Sequence, residues 1–194
     1  NILHIAKGTA SAKALTVSFW VKSTVTGTYI IELQDAVNDR YLRQTYTVNV
    51  ADTWENKTAT FVGDTSGSLG TGTLNGASMD LNFWLMAGSN YESGTASASW
   101  QTTAANRAVD QVNFFASTSN NFLLTGVQLE LGSSATPFEH RSYADELARC
   151  QRYYQRAEFK QGVFHGTGFI RLTNSTCFIG YSLQKKMRVA PTTI

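Results

Sequence analysis

Residues 14–22 read Ala-Leu-Thr-Val-Ser-Phe-Trp-Val-Lys. Leu15, Val17, Phe19 and Val21 take the odd positions, with Thr16, Ser18 and Lys22 between them. Successive side chains of a strand point to opposite faces, so this alternation describes a half-buried antiparallel strand. Met79–Ala87 repeats it, setting Leu81, Phe83 and Leu85 against Asp80 and Asn82. Phe122–Leu131 does so again through Leu123, Val127, Leu129 and Leu131. Weaker strands are predicted near Thr28–Gln34, Leu42–Val50, Thr58–Val62 and Val109–Ala116. Short strands with no helix among them predict a mainly β, two-sheet antiparallel sandwich.

The rhythm changes at Arg141. Ser142-Tyr143-Ala144-Asp145 resembles a capping box, with an acid in the first turn where the helix dipole favours it. Tyr143, Leu147, Cys150 and Tyr154 follow at steps of four, three and four, which places them on one stripe of a helix running to about Arg156. That stripe either packs on the sandwich or meets copies of itself around a symmetry axis. Tyrosines suit an interface, because each joins apolar area to a hydroxyl that can stay wet. Strand-like pieces return at Gly162–Leu172 and Cys177–Leu183. The predicted organisation is a sandwich over 1–139, a helix over 140–157 and the start of a C-terminal β region over 158–194.

Composition narrows the function. Of 194 residues, 15% are charged, against roughly 25% in typical soluble domains. Serine, threonine and asparagine number 17, 24 and 12, and these short polar side chains lose little rotamer entropy when ordered. This composition suits an extracellular or virion β-protein. The net charge of +2 comes from scattered residues, so nucleic acid is not an expected partner. No apolar run nears the ~20 residues of a membrane span. Cys150 and Cys177 are too few for a disulfide framework or a zinc knuckle and read as two buried free thiols. Opening on Asn1 and stopping on Pro191-Thr192-Thr193-Ile194, the chain reads as a piece of a longer polypeptide.

No motif proposes an enzyme. Most of the acids fall in predicted turns, as Asp35, Asp39, Asp52 and Asp64 do, or on polar strand faces, as Glu32 and Asp80 do. His4, His140 and His165 lack a nucleophile context, and no cofactor or metal spacing is present, although sandwich loops could hold a structural calcium. The glycines of Gly63–Ala77 are not followed by the residues of a phosphate loop.

Two stretches hold the candidates for binding. Gly88–Arg107 is a long, small-residue polar loop, and loops of that length are uncommon unless they bind something or are disordered. Its two large residues, Tyr91 and Trp100, are the glycan-binding candidates, since a flat ring can stack on the apolar face of a sugar. Either ring could instead anchor the loop. Trp20, Trp54 and Trp84 read as packed residues, with a surface platform as the alternative for Trp20 and Trp84.

The strand at 14–22 resembles the early strand of carbohydrate-binding-module-like jelly rolls. A more specific resemblance lies in Thr-Gly-Val-Gln-Leu-Glu-Leu at 125–131, Ala-Thr-Pro-Phe-Glu-His-Arg-Ser-Tyr at 135–143 and Glu-Leu-Ala-Arg-Cys-Gln-Arg-Tyr-Tyr at 146–154. That run resembles the end of jelly-roll domains in bacteriophage tail fibres and other virion proteins, notably of marine phages. Lys-Met-Arg-Val-Ala-Pro-Thr at 186–192 resembles a segment that follows their helix. The resemblance implies a jelly-roll virion appendage, commonly a homotrimer, that associates with other tail proteins and recognises bacterial surface polysaccharide. Calcium-binding carbohydrate modules carry an aspartate pair where Thr125-Gly126 stands, so the resemblance does not carry a calcium site over. Competing expectations are a structural spacer or decoration module, and a polysaccharide depolymerase fragment.

Overall fold

The computed structural model describes residues 5–67, 78–155, 168–170, 177–179 and 185–186. The chain divides into two compact units, Asn1–Phe138 and Glu139–Ile194.

In the first unit β1 (Leu15–Ser23), β2 (Gly27–Asp35), β3 (Arg40–Val48), β4 (Glu55–Phe61), β5 (Asp80–Trp84) and β6 (Phe122–Leu131) form two antiparallel sheets. Their strand orders are β4-β1-β6 and β3-β2-β5. Val17, Phe19, Val21 and Phe61 of one sheet meet Tyr29, Ile31, Leu33, Leu42, Tyr46 and Val48 of the other in one buried cluster. Phe19 lies edge-on to both Tyr46 and Phe83, with centroids 5.0 and 5.1 Å away. The chain is therefore mainly β, as the alternation predicts.

Tight turns need particular backbones. Asp39 and Asp52 are left-handed, at φ 48° and 55°, where a short polar side chain is tolerated better than most. Gly63 has no room for a side chain, since a Cβ would lie 2.4 Å from the Ala12 carbonyl oxygen. At Gly126, φ is 59° and β6 gains a residue against β1 between Ser18 and Trp20. This bulge lets Trp20 lie over the glycine, where a Cβ would come within 3.3 Å of the indole.

Three predicted elements differ. Val109–Ala116 is not a strand: Asp110 turns left-handed at φ 69°, and a 3-10 turn occupies Phe114–Ala116. The Val112 amide still donates to the Thr28 carbonyl, so the segment runs beside β2 without joining the sheet. Residues 88–107 are ordered by the helical turn α1 (Ser89–Glu92) and a 3-10 turn at Ala104–Asn106. The apolar alternation of β6 is real, but Val127, Leu129 and Leu131 are exposed because β6 is an edge strand. Phe122 alone of its large side chains reaches the core cluster, beside Tyr29 and Phe114.

In the second unit α2 spans Tyr143–Cys150, shorter than predicted. Ser142 caps it by accepting from the Asp145 amide. Past Cys150 the bonds tighten, with Tyr153 donating to the Cys150 carbonyl three residues back. β7 (Gly168–Ile170) pairs with β8 (Cys177–Ile179). Arg156 and the rest of the predicted strands at 162–172 and 177–183 lie outside the described residues, as do Gly70, Gly72 and Gly76 of the glycine-rich turn. None of the described helices is long and apolar enough to cross a membrane.

Candidate functional site

The outer face of the β3-β2-β5 sheet holds the candidate site. Cross-strand pairing lines up Tyr41, Gln34 and Asp80, then Arg43, Glu32 and Asn82, then Thr45, Ile30 and Trp84. Apart from Ile30, this face is polar or aromatic, yet Glu32, Tyr41 and Arg43 are buried. The segment that follows β5 covers them, and Arg107 is its clamp. Its Nε donates to Glu32 Oε2 at 2.9 Å, and its Nη2 donates to Glu32 Oε1 at 2.6 Å and Gln34 Oε1 at 2.8 Å. Asn82 Nδ2 adds donations to the same two acceptors at 3.1 and 3.3 Å. Hydrogen bonding to Glu32 raises the Arg107 guanidinium above its ordinary value, outweighing burial.

Three rings surround that guanidinium. Its carbon lies 4.6 Å from the Tyr41 centroid, 5.3 Å from Trp84 and 5.7 Å from Tyr91. Trp84 and Tyr91 lie 5.4 Å apart at 51°. Together with Asn82, Met86 and Phe115 they line an open groove of about 520 Å³. Tyr91 is 39% exposed, and Met86 and Phe115 are exposed as well. A groove of this size with aromatic walls and a few fixed polar groups suits a small ligand or one unit of a polymer.

Several donors remain over on this face. Tyr41 Oη, Arg43 Nη1, Trp84 Nε1 and, beside Tyr41, Gln101 Nε2 are buried without a hydrogen-bond partner among the described residues. Burial pulls the Arg43 guanidinium below its ordinary value, with Asp110 opposing. Such groups need acceptor oxygens from water or a ligand.

The two glycan-binding candidates from the sequence separate. Tyr91 is on α1 at the groove, held because its carbonyl accepts from the Ala108 amide at 2.8 Å. Trp100 does not line the groove. Its Nε1 donates to the Val62 carbonyl at 2.7 Å, its ring packs on the core cluster, and Lys7 Nζ lies 6.0 Å from its centroid. Trp100 is an anchor that pins the long segment to the sandwich. Trp84, read from sequence as packed, is half-buried with Arg107 against its ring and also forms a wall of the groove. Its aromatic neighbour Tyr91 is seven residues away on a different element, across a turn, so neither strand nor helix periodicity brings the two rings together.

A second polar cluster gathers acids that the sequence places in turns. Lys7 Nζ is 2.5 Å from Asp35 Oδ2 and 3.0 Å from Asp64 Oδ2, and donates to the Ser66 and Gly67 carbonyls. Arg40 holds Asp64 through Nε and Nη2. Burial alone would push Asp35 up, but Lys7, Asn38 and two backbone amides together hold it below the usual carboxylate range. Asp64 behaves likewise: burial raises it, and Arg40, the Ser66 amide and Lys7 bring it down. The oxygens that a structural calcium would need therefore converge on a lysine ammonium. No group of three or more His, Cys, Asp or Glu suited to a metal occurs among the described residues.

The interface candidates on α2 and just past its end are exposed. Tyr143 is 81% exposed, Leu147 41% and Tyr154 68%, and α2 has no buried residue. Cys150 is exposed, which corrects its reading as a buried thiol. It sits on a helix none of whose residues is buried. The side chain of Cys177 lies outside the described residues.

No protein-family model, curated protein or solved structure matches this chain.

Proposed function

We propose that the chain is a non-enzymatic segment of a bacteriophage tail fibre or related virion appendage, whose jelly-roll module recognises a bacterial surface polysaccharide. The observation that carries this reading is the open groove walled by Trp84 and Tyr91 with Arg107 and Asn82 beside them. Rings at its wall can stack on a sugar face, while the amide and guanidinium bond hydroxyls. The resemblance of 125–154 to phage jelly-roll ends supplies the virion context. The experiment is binding to an array of purified bacterial surface polysaccharides. Saturable binding to at least one is expected, and Tyr91→Ala should weaken it about tenfold, the worth of one stacking contact of roughly 1.4 kcal/mol. The melting temperature should hardly change. Trp100→Ala should instead lower the melting temperature. No binding across the array would favour the spacer or decoration module, and release of reducing sugar would favour the depolymerase.

Self-association completes the proposal. Isolated helices shorter than ~12–15 residues are marginal in water, so an eight-residue α2 with its apolar stripe exposed needs a partner. Packing of Tyr143, Leu147, Cys150 and Tyr154 around a threefold axis would give it one and join several weak grooves into strong attachment. Light scattering across a tenfold concentration range is expected to give a trimer, and Leu147→Ala with Tyr154→Ala a smaller species. A parent protein that is monomeric throughout would remove this part.

A further inference from the structure

The second unit gathers cations that are far apart in sequence. Arg149 and Arg152, around the C-terminal end of α2, share a hollow of about 930 Å³ with Lys185 and Lys186. The Lys185 carbonyl accepts from Gln155 Nε2 at 2.7 Å, which fixes this later segment beside the helix end. Counting Arg141, five cationic side chains line the hollow against two carboxylates, Glu139 and Asp145. Most of what could neutralise them is already engaged. Arg141 pairs with Glu139 and Glu146, and Asp145 accepts from the Ser142 hydroxyl at 2.7 Å. Arg149, Arg152, Lys185 and Lys186 make no ion pair among the described residues, and all four are exposed.

A helix C-terminus favours a cation, and this accounts for Arg149 alone. It does not account for two lysines brought from more than thirty positions later to the same hollow. Like charges held together repel, and an anion in the hollow would relieve that repulsion. The sequence reading of scattered charge is thus corrected locally: the net charge is small, but the fold concentrates part of it.

We propose that this hollow is a second binding site, which takes the carboxylate or phosphate groups of an acidic polysaccharide. The lining chooses the class. Among the described residues it contains no Phe, Tyr or Trp, and the His140 imidazole alone is a small platform for stacked bases, which disfavours single-stranded nucleic acid. Ala148 is its one apolar residue among those described, which offers a lipid chain little to bury against. Paired arginines offer planar forks to oxyanions, and the lysines add mobile point charges. The site stands independently of the groove at Tyr91.

The test is fluorescence anisotropy of the whole chain with labelled polygalacturonate, phosphomannan, dextran and a twenty-nucleotide oligothymidylate, at 50 and 300 mM NaCl. Saturable binding to polygalacturonate or phosphomannan at the lower salt is expected, the stronger of the two telling carboxylate from phosphate. That binding should fall about tenfold or more at the higher salt, as counterions screen the contacts. Lys185→Ser with Lys186→Ser, and separately Arg149→Gln with Arg152→Gln, should each weaken it at least about tenfold with an unchanged melting temperature. Dextran should not bind, and Tyr91→Ala should leave acidic-polymer binding intact even if the groove proves to bind nothing. The proposal is overturned if neither acidic polymer binds, if both double variants bind like the parent, or if Tyr91→Ala abolishes the binding. Tighter binding of the oligothymidylate than of either polysaccharide would reassign the hollow to nucleic acid.

Discussion

Lys7→Ala is expected to remove about 3–5 kcal/mol of stability, read as a fall in the urea midpoint, because it leaves buried carboxylates without their cation. Asp35 is wholly buried and Asp64 nearly so, and the Lys7 ammonium lies within 3.0 Å of both. Arg40 still serves Asp64 in the variant, so Asp35 bears most of the loss. The pH dependence checks the cause. Both carboxyls sit below their ordinary values in the folded chain, so their contribution is full above the unfolded value near 4. It disappears as pH falls through the lower folded values. Without Lys7, burial pushes Asp35 upward, and protonation then relieves the variant, so the gap between parent and variant should narrow on acidification. A gap that stays constant from pH 7 to 3 would show that the loss is packing rather than charge. The four oxygens left behind are ligands of the kind calcium accepts, and millimolar calcium should restore part of the variant's stability while leaving the parent unchanged.

Arg107→Ala is expected to cost about 3–5 kcal/mol as well, and to open the groove wall. It leaves Glu32, fully buried, with Asn82 as its remaining side-chain donor in the observed network. It also withdraws the guanidinium from between Tyr41, Trp84 and Tyr91. Arg107→Lys should recover only part of the loss, since an ammonium cannot reproduce the two parallel bonds to Glu32 or lie flat between rings. The double variant Arg107→Met with Glu32→Gln separates the terms. If the clamp matters mainly by neutralising a buried charge, this variant should be markedly more stable than Arg107→Ala. If it is no better, the stacking of Arg107 between the rings is the larger contribution. Proteolysis within 88–107 is a second readout, as the segment loses its hydrogen-bonded tether to β2 whenever the guanidinium is removed.

Local pattern carries far on the strands and poorly on the site. Phe19 and Leu33 are each on a core-facing row legible from their own neighbours, because strand orientation repeats every two residues. Glu32 sits in the same kind of row and looks solvated by that rule. Its burial depends on Arg107, 75 residues later, which no local rhythm encodes. Trp100 and Tyr91 look equivalent as the large residues of one polar stretch. They differ because the indole N–H finds the Val62 carbonyl while the Tyr91 ring, beside Trp84 and Arg107, stays partly exposed at the groove. The strand predicted at Val109–Ala116 does not form for a nearer cause, a single left-handed residue at Asp110 that alternation cannot register.

By itself the sequence determined the mainly β class, three strongly alternating strands, the capped helix start at Ser142 and the apolar stripe that follows it. Each of these depends on interactions between residues a few positions apart, where backbone geometry alone sets who faces what. Tertiary structure decided which charges are buried, which aromatic ring is a groove wall and which an anchor. It also decided that Lys185 and Lys186 stand beside Arg149 and Arg152. Those outcomes require segments distant in the chain to meet, and which polar group meets which is fixed only when the sheets close and desolvation penalises a buried charge that lacks a counterpart.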